Sequence, residues 1–138
     1  MIKTANLYKS FGHVHVLKGV STHIHKSEVV SIIGPSGGGK STFLRCLNLL
    51  ETPESGEVIF EGVTINEKGV DVDFYRQKMG MVFQQFNVFP HMTVIENITK
   101  APMLVKKRSK ATATEQAEAL LERVGLFDKR DEYPRRLS

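Results

Sequence analysis

The sequence predicts an α/β fold, on three observations. Short, β-rich segments fill the first part of the chain. A glycine run then joins an apolar, β-branched segment to a helix-forming one, the order of a strand, a tight loop and a helix. Past residue 86 the hydrophobic period becomes helical. At 138 residues the chain is long enough to bury a core, since a domain of about 150 residues hides roughly 70% of its unfolded surface.

Taken in order, residues 2–11 alternate loosely and read as a strand closed by Gly12. Residues 14–17 and 20–24 continue as strand material, and an antiparallel sheet with one wet face accounts for this region. Residues 28–33, Glu-Val-Val-Ser-Ile-Ile, predict a short buried parallel strand. Residues 43–50 are broken by neither Gly nor Pro and predict a helix. Thr52-Pro53-Glu54-Ser55-Gly56 is turn chemistry. Residues 57–60 and 63–65 flank Glu61-Gly62 as a hairpin. Asp71 can cap a short helix running to Lys78, with Gly80 ending it. Met81-Val82-Phe83 reads as a short buried strand leading to Gln84 and Gln85. Ala117, Leu120, Leu121 and Val124 form one stripe of a helix starting near Ser109. Gly125 stops that helix, with Leu126 placed against Leu121 as in a Schellman ending.

Composition narrows the class. Hydrophobic content of 41% and charged content of 25% suit a soluble globular protein. No apolar run approaches the roughly 18 residues of a membrane span, and the first residues lack a signal-peptide pattern. With Cys46 alone there is no disulfide framework, and a thiol in the helix after the glycine run reads as a buried structural group. These features point to a cytosolic protein. The net charge is +4, but the basic residues are scattered and the one dense run, Lys106-Lys107-Arg108, is short. It reads as a solvated face or a contact with an anionic membrane surface, and not as a nucleic-acid site. His13 with His15, and His23 with His25, could each share a strand face. No third ligand lies nearby in sequence, so they read as solvent-facing.

The glycine run carries the chemistry. Gly34-Pro35-Ser36-Gly37-Gly38-Gly39-Lys40-Ser41-Thr42 fits the phosphate-binding pattern G-x-x-x-x-G-K-[ST] at every fixed position. A triphosphate needs many donors close to its oxygens, and the three successive glycines let backbone N–H groups approach in positive-φ conformations. The following helix offers its positive end to the same anion. Lys40 is placed to reach the β- and γ-phosphates, Ser41 to ligate Mg²⁺, and Thr42 to add a hydroxyl toward the α-phosphate.

With these residues in view, the chain resembles the ATP-binding cassette ATPases, and more narrowly the ATPase subunits of bacterial polar amino-acid importers. The match rests on Lys9-Ser10-Phe11-Gly12, Val16-Leu17-Lys18-Gly19-Val20, residues 33–42, Leu44-Arg45-Cys46-Leu47-Asn48, Met81-Val82-Phe83-Gln84-Gln85-Phe86-Asn87 and Phe89-Pro90-His91-Met92-Thr93-Val94. The resemblance implies a RecA-like P-loop NTPase core with an N-terminal antiparallel β-subdomain over residues 1–85. Residues 86–138 would begin an α-helical subdomain. It implies that Phe11 stacks on adenine and Val16 packs beside base and ribose. Gln84 would touch Mg²⁺ and the attacking water, making Lys40 and Gln84 the catalytic residues and Ser41 and Gln84 the metal contacts. Residues 86–97 would receive coupling helices from transmembrane permease subunits. The lesser alternative for Phe11 is a strand-end core residue, and Gln84 read without the family is a solvated polar one.

The implied cofactors are ATP and Mg²⁺, the implied partners a second, head-to-tail copy and the permease, and the implied location the cytoplasmic face of the bacterial inner membrane. The chain closes on Leu137-Ser138, where relatives continue into a Leu-Ser-Gly-Gly-Gln signature. It therefore reads as truncated, lacking the Walker B aspartate, the catalytic glutamate and the switch histidine. Two alternatives stand beside this reading: a P-loop nucleotide kinase, and a non-catalytic fragment that binds nucleotide without turnover.

Overall fold

A computed structural model describes residues 1–85 and 87–137. The chain divides into two units, Met1–Met81 and Val82–Ser138.

The first unit is built on an antiparallel sheet of four strands: β1 (Ile2–Phe11), β2 (Val14–Ile24), β3 (Ser55–Phe60) and β4 (Val63–Thr64), in the order β2-β1-β3-β4. Gly12, at φ +59°, helps turn β1 into β2, and Phe11 faces Val14 across the turn. Glu61 and Gly62, at φ +52° and +86°, join β3 to β4 as a two-residue turn that matches the right-handed twist of the strands. The register of β1 against β2 shifts between Thr4 and Leu7, where Asn6 sits at φ +48° and its N–H donates to Ser21 Oγ at 2.8 Å.

Helix α1 (Lys40–Leu47) packs on β2, and the core joins Leu7, Leu17, Phe43, Cys46, Leu49, Val58 and Ile65. Leu7, Cys46 and Val58 have no exposed surface, and burial pushes the Cys46 thiol pKa up, as expected of an inert structural cysteine. Asp71 caps the short helix α2 (Val72–Arg76) by accepting from Phe74 N–H at 3.2 Å. Arg76 then ties α2 to the end of α1, donating to the carbonyls of Asn48 at 3.0 Å and Leu49 at 2.7 Å. Helix-end carbonyls lack intrahelical donors, so this guanidinium satisfies groups that would otherwise need water.

Two expected strands do not form. Residues 28–33 lie outside every ladder, with Val29 94% and Ile33 93% exposed. Residues 81–83 are likewise unpaired, with Val82 97% exposed. A parallel strand exists only beside a neighbour that takes its N–H and C=O groups, and no strand among the described residues lies alongside either segment.

The second unit is helical: α3 (Val94–Leu104) packs against α4 (Lys110–Arg123), followed by single 3-10 turns at Phe127–Lys129 and Pro134–Arg136. Thr93 and Glu96 form a reciprocal capping box at the start of α3. The next amides, of Val94 and Ile95, donate to the carbonyls of Glu132 and Arg130. Ser109 caps α4. The helix ends at Gly125, φ +69°, with Leu126 N–H donating to Leu121 C=O at 2.8 Å and Gly125 N–H to Glu122 C=O at 3.0 Å, the two bonds of a Schellman ending. The buried stripe is rotated from the expected one: Ala113, Ala117 and Leu121 are buried, while Leu120 and Val124 are exposed. The buried face of α4 thus follows the two alanines and Leu121 and not Leu120 and Val124.

Candidate functional site

The glycine run takes a turn conformation that ends on the N-terminus of α1. Gly38 N–H donates back to Pro35 C=O at 3.1 Å, and Gly37 and Gly39 take φ of +77° and +83°, a region favoured only by glycine. Gly39 is the N-cap of α1, and no side chain caps that helix. The first α-helical bond runs from Phe43 N–H to Gly39 C=O at 2.8 Å. The amides of Lys40, Ser41 and Thr42 therefore have no carbonyl within the helix to bond, which leaves them to an external acceptor.

Two contacts fix the loop. A β-carbon on Gly39 would sit 2.8 Å from Val16 Cγ1 and 3.2 Å from Val16 O, so the run lies directly on β2 at Val16. Lys40 Nζ donates to Gly34 C=O at 2.9 Å and Pro35 C=O at 2.7 Å, which folds the ammonium over the loop with one of its three N–H groups to spare. Around Gly34 and Gly37 a β-carbon would meet nothing within 4 Å, so that side of the loop is open.

Charge favours an anion here. Between Glu28 and Glu51 the sequence has no acidic residue, only Lys40 and Arg45. Bare amides, a helix N-terminus and a folded-over ammonium are a donor set for phosphate oxygens, and the exposed hydroxyl of Ser41 is a hard-oxygen ligand suited to Mg²⁺.

Phe11 lies at the end of β1, 47% exposed, with Lys9 Nζ 5.1 Å from its ring centroid. That exposure sets the ring apart from the buried core of the first unit. The first unit thus holds Phe11, Val16 and residues 34–42. Gln84 belongs to the second unit, where it is exposed. Phe86, in the stretch expected to receive the permease, and Ser138, at the start of the expected signature, lie outside the described residues. His13, His15, His23 and His25 are all exposed, with His15 Nδ1 2.9 Å from Ser10 Oγ.

Asn97 was not anticipated. Its Oδ1 accepts from Phe89 N–H at 2.7 Å, and its Nδ2 donates to the carbonyls of Phe89, Met92 and Thr93 at 2.9–3.1 Å. One side chain therefore organises residues 89–93, the segment that leads into α3. Its presence on a helix gives no sequence signal, whereas Thr93-Val94-Ile95-Glu96 is a readable capping box.

A glycine loop of the G-x-x-x-x-G-K-[ST] pattern that runs into the N-terminus of α1, within the unit that holds the antiparallel sheet, is the hallmark of the P-loop nucleotide-binding class. The protein family described as ABC transporter matches residues 17–138, and the chain belongs to that family. It is 56% identical over 138 residues to the arginine transport ATP-binding protein ArtM of Bacillus subtilis (strain 168), covering all of this chain and 58% of that protein. It is 51% identical to the glutamine transport ATP-binding protein GlnQ of Geobacillus stearothermophilus, covering 57% of it. The fold is similar to the solved dimeric structure of MJ0796, a bacterial ABC transporter cassette, with TM-score 0.88, 35% identity, and coverage of 100% of this chain and 63% of that one. A structure of the MJ0796 cassette in a post-hydrolysis state, bound to ADP and Pi, matches with TM-score 0.85 and 34% identity. The chain thus spans about 58% of the length of the ArtM relative. The family match decides between the cassette and the nucleotide kinase in favour of the cassette.

Proposed function

We propose that the chain carries the nucleotide-binding residues of the ATPase subunit of a bacterial importer for polar amino acids. The observation that carries this is the loop itself: Gly39 seated on Val16, uncapped amides at the start of α1, and Lys40 bridging the Gly34 and Pro35 carbonyls. In this reading Lys40 exchanges those carbonyls for the β- and γ-phosphates of ATP. Ser41 holds Mg²⁺, which when bound neutralises phosphate charge. Thr42 contacts the α-phosphate side, Phe11 stacks on adenine, and Gln84 positions water near the γ-phosphate.

Residues 1–85 form the nucleotide-binding region and 86–138 begin the helical one, which docks permease subunits at the cytoplasmic face of the membrane. The solute class is supported by relatives whose names include arginine, glutamine and glutamate/aspartate transport. The complete subunit works as a head-to-tail dimer that hydrolyses ATP, whereas these 138 residues bind nucleotide with negligible turnover. They supply Lys40, Ser41 and Gln84 but no general base, whose loss alone typically slows such chemistry by about 10²- to 10⁴-fold.

Titration of a fluorescent ATP analogue in Mg²⁺ tests the reading. Wild-type chain binds saturably, and Lys40→Ala weakens binding by roughly ten- to hundredfold, the range for losing a charge-assisted hydrogen-bond donor. Equal affinity in the two proteins would refute the assignment. Phosphate release by the wild-type chain above buffer, abolished in Lys40→Ala, would refute the low turnover.

A further inference from the structure

We propose that the connector between α3 and α4 is a direct contact for an anionic phospholipid surface. From residue 97 to residue 114 the chain contains no acidic residue and five basic ones: Lys100, Lys106, Lys107, Arg108 and Lys110. None of the five forms an ion pair among the described residues. Beside the dense basic run, Leu104 is 57% and Val105 52% exposed.

The connector is an ordered turn. Val105 N–H donates to Ala101 C=O at 2.9 Å, Arg108 N–H donates to Pro102 C=O at 3.2 Å, Lys107 sits at φ +53°, and the Arg108 guanidinium donates to Gln116. Two exposed aliphatics are thus followed directly by three cations on one tight bend.

The pairing selects the occupant. Cations at a lipid surface gain from the negative potential of anionic headgroups, and adjacent aliphatic side chains can enter the headgroup–acyl boundary. A single-stranded nucleic acid would want aromatic platforms for its bases, and residues 97–114 contain no Phe, Tyr or Trp. Two of these five cations, Lys100 and Lys110, also line a cavity of about 230 Å³ together with Met92, Glu96, Thr99 and Met103. This contact stands apart from the nucleotide site, because it needs neither ATP nor a permease.

The test is cosedimentation of the 138-residue chain with phosphatidylcholine vesicles, plain or carrying phosphatidylglycerol. Binding is expected only to the anionic vesicles and is expected to fall steeply as salt rises from about 0.05 M to about 0.3 M, where the Debye length shrinks below 10 Å. The variant Lys106→Glu/Lys107→Glu/Arg108→Glu is expected to lose at least about tenfold in binding, each basic residue near such a surface contributing roughly fivefold. Leu104→Ser/Val105→Ser leaves charge intact and is expected to reduce binding to the same vesicles. Lys3→Glu/Lys26→Glu/Lys68→Glu makes the same change in net charge on the first unit and is expected to leave binding within about twofold. Equal binding to neutral vesicles, an unaffected connector variant, or an equal loss in the first-unit variant would overturn the proposal. So would a short single-stranded RNA that binds more tightly than the vesicles and shows the same sensitivity to the connector substitutions. Circular dichroism of each variant confirms folding, and Lys107→Glu alone serves where the triple variant does not fold.

Discussion

Gly56 shows how one residue can hold a sheet register. A β-carbon there would lie 2.2 Å from Asn6 O and 2.5 Å from Ala5 O, and its φ of +90° is one that L side chains rarely adopt. Gly56→Ala is expected to cost about 3 kcal/mol by combined overpacking and backbone strain. Urea midpoints of the two proteins check this, and an unchanged midpoint would contradict the contact. Gly39→Ala acts through the site, since its methyl would push against Val16 while φ stays at +83°. It is expected to lower nucleotide affinity by at least about tenfold, as the loop can no longer place its amides. Both effects are tertiary. The spacing of the glycines around Lys40 was readable as a phosphate loop, but nothing local distinguished Gly56 from an ordinary turn residue, because its neighbour Asn6 is remote in sequence.

Among the elements, α3 depends on its first turn. Thr93 Oγ1 accepts from Glu96 N–H at 3.4 Å, and the Glu96 carboxylate accepts from Thr93 N–H at 2.8 Å. Those bonds from Thr93, backbone first and hydroxyl second, hold the Glu96 carboxyl below the usual carboxylate pKa. A depressed pKa means the stabilisation is complete above the unfolded carboxyl's pKa of about 4.3 and is lost as pH falls through the lower folded value. Helical ellipticity is therefore expected to decline on acidification below about pH 4.3, with a smaller decline from this site in Glu96→Gln; identical acid titrations of the two proteins would rule the linkage out. Thr93→Ala is expected to cost about 1 kcal/mol at neutral pH. Leu121→Ala, which hollows out a buried position of α4, is expected to cost about 3 kcal/mol in thermal or urea unfolding. The Asp71 and Ser109 helix starts, the hairpin turn and the Schellman ending were read from the sequence, because each is a dialogue between residues a few positions apart, whereas α3 and its Thr93 cap went unread. The rotation of the α4 stripe was not, because Ala113 became core only through what packs against it.

For the whole molecule, the largest departure is at residues 28–33. A β-branched apolar run with Val29 and Ile33 exposed, and no ladder beside it among the described residues, is the kind of surface that favours dye binding and self-association. Anilinonaphthalene sulfonate fluorescence and light scattering are expected to be high for this chain and to fall in Val29→Lys/Ile33→Lys. A dye response no different from that of the variant would show the run to be covered in solution. The sequence alone determined the α/β class, the antiparallel first sheet, the glycine loop leading into α1, and the bounds of α4 from Ser109 to Gly125. These are set by local spacing, propensity and turn chemistry, all of which act over a few residues. Tertiary structure alone decided that Gly39 lies on Val16, that Phe11 is exposed at its strand end, that Arg76 and Asn97 stitch segments together, and that residues 28–33 stand outside the sheet. The Gly39 contact and the Arg76 bonds depend on a partner brought from elsewhere in the chain. The Asn97 bonds depend on residues four to eight positions away, and the exposure of Phe11 and of residues 28–33 on the lack of a neighbour among the described residues. The last shows the limit most clearly, since strand propensity can prepare a backbone for pairing but only a neighbouring strand can supply the hydrogen bonds.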